Sequence, residues 1–285
     1  MTERPRQITP ARAVGTFLRR GMCSQTLLAA VNHAYGRPMR DEERASDPLV
    51  GGILQHGYQC GMLWGAALAA GAEAHRRFGS GPDAQVRAIL ASRRAVEAFQ
   101  ALCHTADCSD ITGMTATSTM REMAAFFFLK GGSIKCFRLA GRYAPAAFRA
   151  IDAALGAAAV DAGPSDRVSC SAIVASRLGA SGLHTVMASG LAGGIGLTGG
   201  GCGALSAAIW LQGLNRLREG RKVSYKSPEA LALVERFLNA SDYEFECRKI
   251  VGQTFASVAD HVAWLHGGGC AAIVDTLCDQ TGAGT

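Results

Sequence analysis

Ten cysteines lie in this 285-residue chain, and most of them fall into a repeated order that constrains the fold more than any other feature. Cys60-Gly61 opens the apolar run Met62 to Phe78, and Cys202-Gly203 opens a second run, Ala204 to Arg218. Each pair follows an apolar, glycine-containing stretch, Pro48 to Gln59 in one case and His184 to Gly201 in the other. Each has one cysteine upstream, Cys23 or Cys170, and two downstream, Cys108 and Cys136 or Cys247 and Cys270. Successive steps are about 37, 48 and 28 residues in the first half and about 32, 45 and 23 in the second. Four landmarks in one order, with glycines just before each fourth member, read as an internal duplication. Cys103 and Cys278 have no counterpart and read as small buried hydrophobes.

The runs between these landmarks carry helical patterns. Met62 to Phe78 is dominated by Ala, Leu and Trp and lacks the β-branched alternation of a strand. Asp83 to Leu102 places Val86, Ile89, Leu90, Val96 and Phe99 on one side. Ser227-Pro228-Glu229 is a helix start, with proline in the first turn and an acid behind it. The chain is therefore expected to be all-α. Two tandem multi-helix repeats, residues 1–160 and 161–285, are expected to be related by a pseudo-twofold axis, as in a fused homodimer. Gly163-Pro164-Ser165-Asp166 marks their boundary. Locally, the sequence predicts a mobile arm up to about residue 12, one helix from Arg12 to Tyr35 with Cys23 inside it, and Ser118 as the cap of a later helix.

Composition narrows the function classes. Hydrophobic residues make up 48% and charged residues 18%, enough for a sizeable core. The net charge of +6 comes from arginines scattered in ones and twos, with no basic stripe interleaved with aromatics, so no nucleic-acid partner is expected. Leu178 to Asn215 holds no Lys, Arg, Asp or Glu and is long enough to cross a bilayer. Its glycines at 193, 194, 196 and 199–201 break any single span, so two buried helices around a glycine turn are expected, without membrane association. The segment Met1 to Pro10 is polar and has no apolar leader core. The expected setting is the cytoplasm, with reduced thiols, where a repeated cysteine pattern points to metal or redox chemistry rather than to structural bridges.

A cysteine at the start of a helix faces free backbone N–H groups and the positive end of the dipole. This predicts a lowered thiol pKa at Cys60, Cys136, Cys202 and Cys270. A following glycine lets a neighbour approach the backbone closely. Four thiolates per repeat equal the ligand count of an iron–sulfur cluster or a closed zinc site. The candidate sets are Cys23, Cys60, Cys108 and Cys136, and Cys170, Cys202, Cys247 and Cys270. The pattern leaves three readings open: iron–sulfur electron transfer, a metal-free thiol–disulfide oxidoreductase, and a zinc-stabilised or cysteine-rich interaction module. The first two require a redox partner protein. Other motifs are poorer. Gly194-Ile195-Gly196-Leu197-Thr198-Gly199 fits a dinucleotide-binding pattern, but no strand-like run precedes it, and the turn before Cys202 accounts for it. His104 and His266 read as helix-end or surface histidines, with accessory ligand or proton donor as the alternative. Phe126 to Phe128 read as core or inter-repeat packing.

The cysteine order resembles a family of redox-active proteins named for its pattern: Cys, then Gly-Cys-Ala-x-x-Gly, then Cys, then Cys. A small residue and Gln follow Cys23, Gly201-Cys202 keeps the opening of the central motif, and Cys60 holds the same place in the first half. Each half ends with two single cysteines separated by a helix. Gly61 and Gly203 stand where the family has Ala, Trp64 and Ser206 where it has the closing Gly, and Gln59 where it has the opening Gly. The resemblance implies redox-active thiols or a metal, and no named reaction.

Overall fold

A computed structural model describes residues 6–129, 131–158 and 168–279. Fifteen α-helices and no strand form among them, so the fold is all-α. The first part holds α1 (Pro10–Arg20), α2 (Cys23–Ala34), α3 (Arg40–Ala45), α4 (Gly61–Phe78), α5 (Pro82–Gln100), α6 (Cys108–Thr112), α7 (Met120–Ala124) and α8 (Gly132–Leu155). The second holds α9 (Cys170–Arg177), α10 (Gly182–Ser189), α11 (Gly203–Arg218), α12 (Pro228–Ala240), α13 (Cys247–Ile250), α14 (Val258–His266) and α15 (Ala271–Cys278). No described helix is long and apolar enough to cross a membrane.

Three local expectations need correction. The helix predicted over Arg12 to Tyr35 is two helices. Gly21 takes the left-handed conformation (φ 79°) and returns its N–H to the Phe17 carbonyl at 2.8 Å, and Met22 is extended. Cys23 thereby becomes the first residue of α2. The chain before Pro10 is docked from residue 6 on, because the Arg6 N–H donates to the Ala34 carbonyl at 2.7 Å and Ile8 is buried. Thr119, not Ser118, caps α7, in a reciprocal box with Glu122. Residues 1–5 and the boundary at 163–166 lie outside the described residues.

Helix α4 is the central post. Everything from Gly61 to Ala74 is buried against α2, α5 and α10. Such tight approach needs small residues. A Cβ on Gly65 would sit 2.1 Å from the Ser24 carbonyl oxygen, and one on Gly71 would sit 2.4 Å from the Met187 Cα. One hydrophobic core therefore runs through both halves of the sequence. Polar ties cross it as well: the Trp210 indole N–H donates to the Glu42 carbonyl at 3.1 Å, and the His184 Nε2 lies 3.0 Å from the Glu42 carboxylate.

The loops ahead of α4 and α11 share an unusual backbone. Gly51 to Gln55 are all left-handed, with φ of 67, 73, 63, 45 and 67°. Gly193 to Leu197 repeat this with 59, 76, 64, 58 and 64°. Each forms one turn of left-handed helix. The Ile53→Leu49, Gln55→Val50 and Gly57→Gly51 hydrogen bonds recur, at one constant interval, as Ile195→Leu191, Leu197→Ala192 and Gly199→Gly193. A non-glycine residue in this conformation costs ~1–2 kcal/mol. Full burial of Ile53, Leu54 and Ile195, and near-full burial of Leu197, offsets that cost.

Candidate functional site

The backbone brings the distant cysteines together by the same means in each half. The Cys60 N–H donates to the Ala106 carbonyl at 2.8 Å, and the Cys108 N–H donates to the Tyr58 carbonyl at 2.7 Å. This antiparallel bridge sets Cys60, the cap of α4, beside Cys108, the first residue of α6. In the second half, Cys202 donates to the Phe245 carbonyl at 2.9 Å and Cys247 to the Gly200 carbonyl at 2.6 Å. Close packing of α2 on α4 then delivers Cys23, and the start of α8 delivers Cys136. Cys170, at the start of α9, and Cys270, the cap of α15, complete the second group.

In the first group Cys23 and Cys60 titrate as a pair, with the Cys60 thiol acting as proton donor toward the Cys23 sulfur. Cys23 also receives the backbone N–H groups of Gly51 and Ser24. The left-handed turn supplies one and the start of α2 supplies the other. These donors, the Cys60 thiol foremost, outweigh burial and hold the Cys23 pKa below the ordinary thiol value. The shared proton pushes Cys60 well above it, with burial and the neighbouring sulfurs adding to the rise. Burial, and after it the charge on Cys23, push Cys108 and Cys136 up to about 12, so both sense the Cys23 sulfur. Cys23, Cys108 and Cys136 line an open cavity of about 400 Å³. Cys60 is buried and does not line the cavity.

The second group differs in one contact and in access. The Gly193 N–H serves Cys170 as the Gly51 N–H serves Cys23, but no thiol donates to the Cys170 sulfur, and burial pushes its pKa up. Burial takes Cys202 up to about 12 and raises Cys247 and Cys270 too. All four line a space of only about 10 Å³, barely enough for one water. His261, 1% exposed, lines the same space, and its Nδ1 has no hydrogen-bond partner.

The predicted effect of helix starts on thiol acidity is overturned at Cys60, Cys136, Cys202 and Cys270. Each pKa is raised: at Cys136, Cys202 and Cys270 desolvation exceeds the pull of a helix terminus, and at Cys60 the proton held toward Cys23 acts first and burial adds to it. Cys23, which sequence reasoning placed mid-helix, is the thiol so favoured. The four-thiol groups also fit a resident metal poorly. Among the described residues, no three Cys, His, Asp or Glu side chains converge as ligands. Cys103 and Cys278 pack partly buried against the core, outside both groups. His104 and His266 are exposed at helix ends. Phe127, read from the sequence as packing, lines the first cavity. Sequence reasoning missed His261, Gln55 and Gln59. Gln59 showed itself only as a departure from the motif. Its side chain reaches the second loop, donating to the Gly194 carbonyl at 2.6 Å and accepting the Gly201 N–H at 2.7 Å.

The family model described as "Putative redox-active protein (C_GCAxxG_C_C)" matches residues 22–177, just over half of the chain. The chain belongs to this redox-active family. No curated protein and no solved structure matches it.

The family's departures now have local reasons. A Cβ on Gly61, where the family has Ala, would lie 2.5 Å from the Cys23 sulfur. On Gly203 it would lie 1.8 Å from the Leu191 carbonyl oxygen. Trp64 fills core volume and anchors the Cys60 loop through its indole N–H to the Gln59 carbonyl at 2.9 Å. Gly65, one residue on, provides the close approach to α2.

Proposed function

We propose that this chain is a dithiol–disulfide oxidoreductase whose reacting pair is Cys23 and Cys60. The seating of the Cys23 sulfur against Gly61, the residue next to Cys60, and in the wall of an open cavity carries the reading. Oxidation joins the two sulfur atoms in one bond and releases two electrons and two protons to an acceptor in the cavity. Cys23 is the attacking sulfur, because its anion is stabilised by the Cys60 thiol and by backbone N–H groups and reaches the cavity. Cys60 closes the bridge. The Cys170 group, sealed and without a thiol–thiol hydrogen bond, serves as structural packing in the second half.

The direct test oxidises the reduced protein with diamide and maps bridges by peptide mass spectrometry without reduction. One Cys23–Cys60 bridge is expected, absent in C23S and C60S. Alkylation with iodoacetamide between pH 7 and 8 should mark Cys23 at least ten times faster than Cys108, Cys136 or Cys202, whose thiols stay protonated to about 12. Bridges at other cysteines, or uniform slow alkylation, would overturn the reading. The competing use of four grouped thiolates, an iron–sulfur cluster or zinc, is tested by purifying the protein anaerobically. Iron with inorganic sulfide, or zinc, at about one site's worth per chain would replace the dithiol reading.

A further inference from the structure

The cavity beside Cys23 has a wall that specifies more than access. Phe17, Met22, Met114, Met123, Phe127 and Phe137 all line it. Among the described residues, no Lys, Arg, Asp or Glu lines it. A glutathione or peptide disulfide would bury charged groups there with nothing to pair them. About 400 Å³ suits a molecule of one or two rings. Thioether and aromatic surfaces pack well on such rings.

Among the polar side chains that interrupt this surface, Thr112, Ser133, Tyr225 and Gln55, the last stands out. Gln55 lines the cavity, is 4% exposed, and takes the Tyr225 hydroxyl on its carbonyl oxygen. Its Nε2 is buried without a partner. A buried donor left unmade costs roughly 1–3 kcal/mol, which a ligand with an acceptor oxygen would recover. The left-handed turn that holds Gln55 also presents the Gly51 N–H to Cys23. The donor and the attacking sulfur therefore belong to one rigid loop.

We infer that the cavity receives a quinone, which the Cys23/Cys60 pair reduces to the hydroquinone. The inference rests on the dithiol reading and names its acceptor. A quinone is apolar, flat, carries acceptor oxygens and no donor, and takes two electrons. The Cys23 sulfur adds to the ring, and the ring π pair moves to a carbonyl oxygen held by the Gln55 amide. The Cys60 sulfur then attacks Cys23 Sγ. The S–S bond forms as the S–C bond breaks, and that electron pair stays with the ring. The two protons taken up by the oxygens are the one from Cys60 and one from solvent, equal to that lost when Cys23 ionised. Dithiol plus quinone becomes disulfide plus hydroquinone.

The test uses duroquinone, whose fully methylated ring forms no stable arylated protein. Reduced protein is mixed with it anaerobically, in a single turnover. One hydroquinone and one Cys23–Cys60 bridge per chain are expected, at a rate at least a hundred times that with glutathione disulfide. C23S should show neither product. Gln55→Leu removes the donor at a site where Leu is tolerated, since Leu197 occupies the matching left-handed position (φ 64°) of the second loop. It should slow duroquinone reduction at least tenfold. If diamide forms the bridge but duroquinone does not, or glutathione disulfide reacts as fast, the quinone inference falls and the dithiol reading stands. If neither reagent forms the bridge, both fall.

Discussion

At position 61 a single methyl group separates this chain from its family's motif. Gly61 begins α4 directly beneath the Cys23 sulfur, and the space for a Cβ is already taken. The glycine therefore belongs to the seating of the Cys23 sulfur more than to the helix. Gly61→Ala restores the family residue but pushes the Cys23 sulfur aside. The expected result is a Cys23–Cys60 bridge that forms at least tenfold more slowly with diamide. Overpacking should also lower stability by ~1–3 kcal/mol in urea unfolding. An unchanged bridging rate would show that the sulfur position is not set by this contact. The same scale explains why two similar cysteines behave oppositely. Cys23 and Cys170 both begin helices and both take a backbone N–H from a left-handed turn, yet only Cys23 has a thiol donor, and only its pKa is lowered.

Elements hold these residues in place by caps and by buried polar groups. Helix α14 starts with a reciprocal box between Ser257 and Asp260 and turns His261 inward against the Phe255 ring, with centroids 4.9 Å apart. Burial lowers the His261 pKa to about 4, and a hydrogen bond to the Val168 backbone opposes the shift without reversing it. The folded state therefore prefers the neutral ring, while the unfolded chain takes up a proton near the ordinary histidine value of about 6.5. Between these limits the unfolded state binds more protons, so stability falls as pH drops from about 6.5 to about 4. The loss should approach ~2–3 kcal/mol by pH 4. Thermal unfolding of the protein and of His261→Leu across this range checks it. The variant should lose less stability on acidification, and parallel curves would refute the assignment.

Across the whole molecule the two cysteine loops are tied by one side chain. Gln59 follows the first left-handed turn and hydrogen-bonds the second at both ends of its amide. Gln59→Ala leaves the Gly201 N–H buried and unpaired, while the Gly194 carbonyl keeps the Thr198 hydroxyl at 2.7 Å. That should cost ~2 kcal/mol, or ~4–8 °C in the unfolding midpoint. With the core continuous through both halves, the wild-type chain should unfold in one transition. In the variant the transition should shift and broaden. An unshifted midpoint would mean the loops are held together by packing alone.

The sequence by itself determined that the fold is built of helices. Apolar periodicity, Ser, Thr and Pro at helix starts and glycine at helix ends act within a turn or two, so they are readable along the chain. Even there, Gly21 was needed to place Cys23 at a helix start, and its left-handed conformation was legible only as a lone glycine between two good helical stretches. Tertiary structure alone decided which thiol is acidic, which group is open and what the cavity accepts. Those properties depend on desolvation and on neighbours such as Cys60 against Cys23, Tyr225 against Gln55 and Gln59 against Gly194. Each pair is distant in sequence and meets only when the core closes, and burial can then reverse what a helix terminus favours.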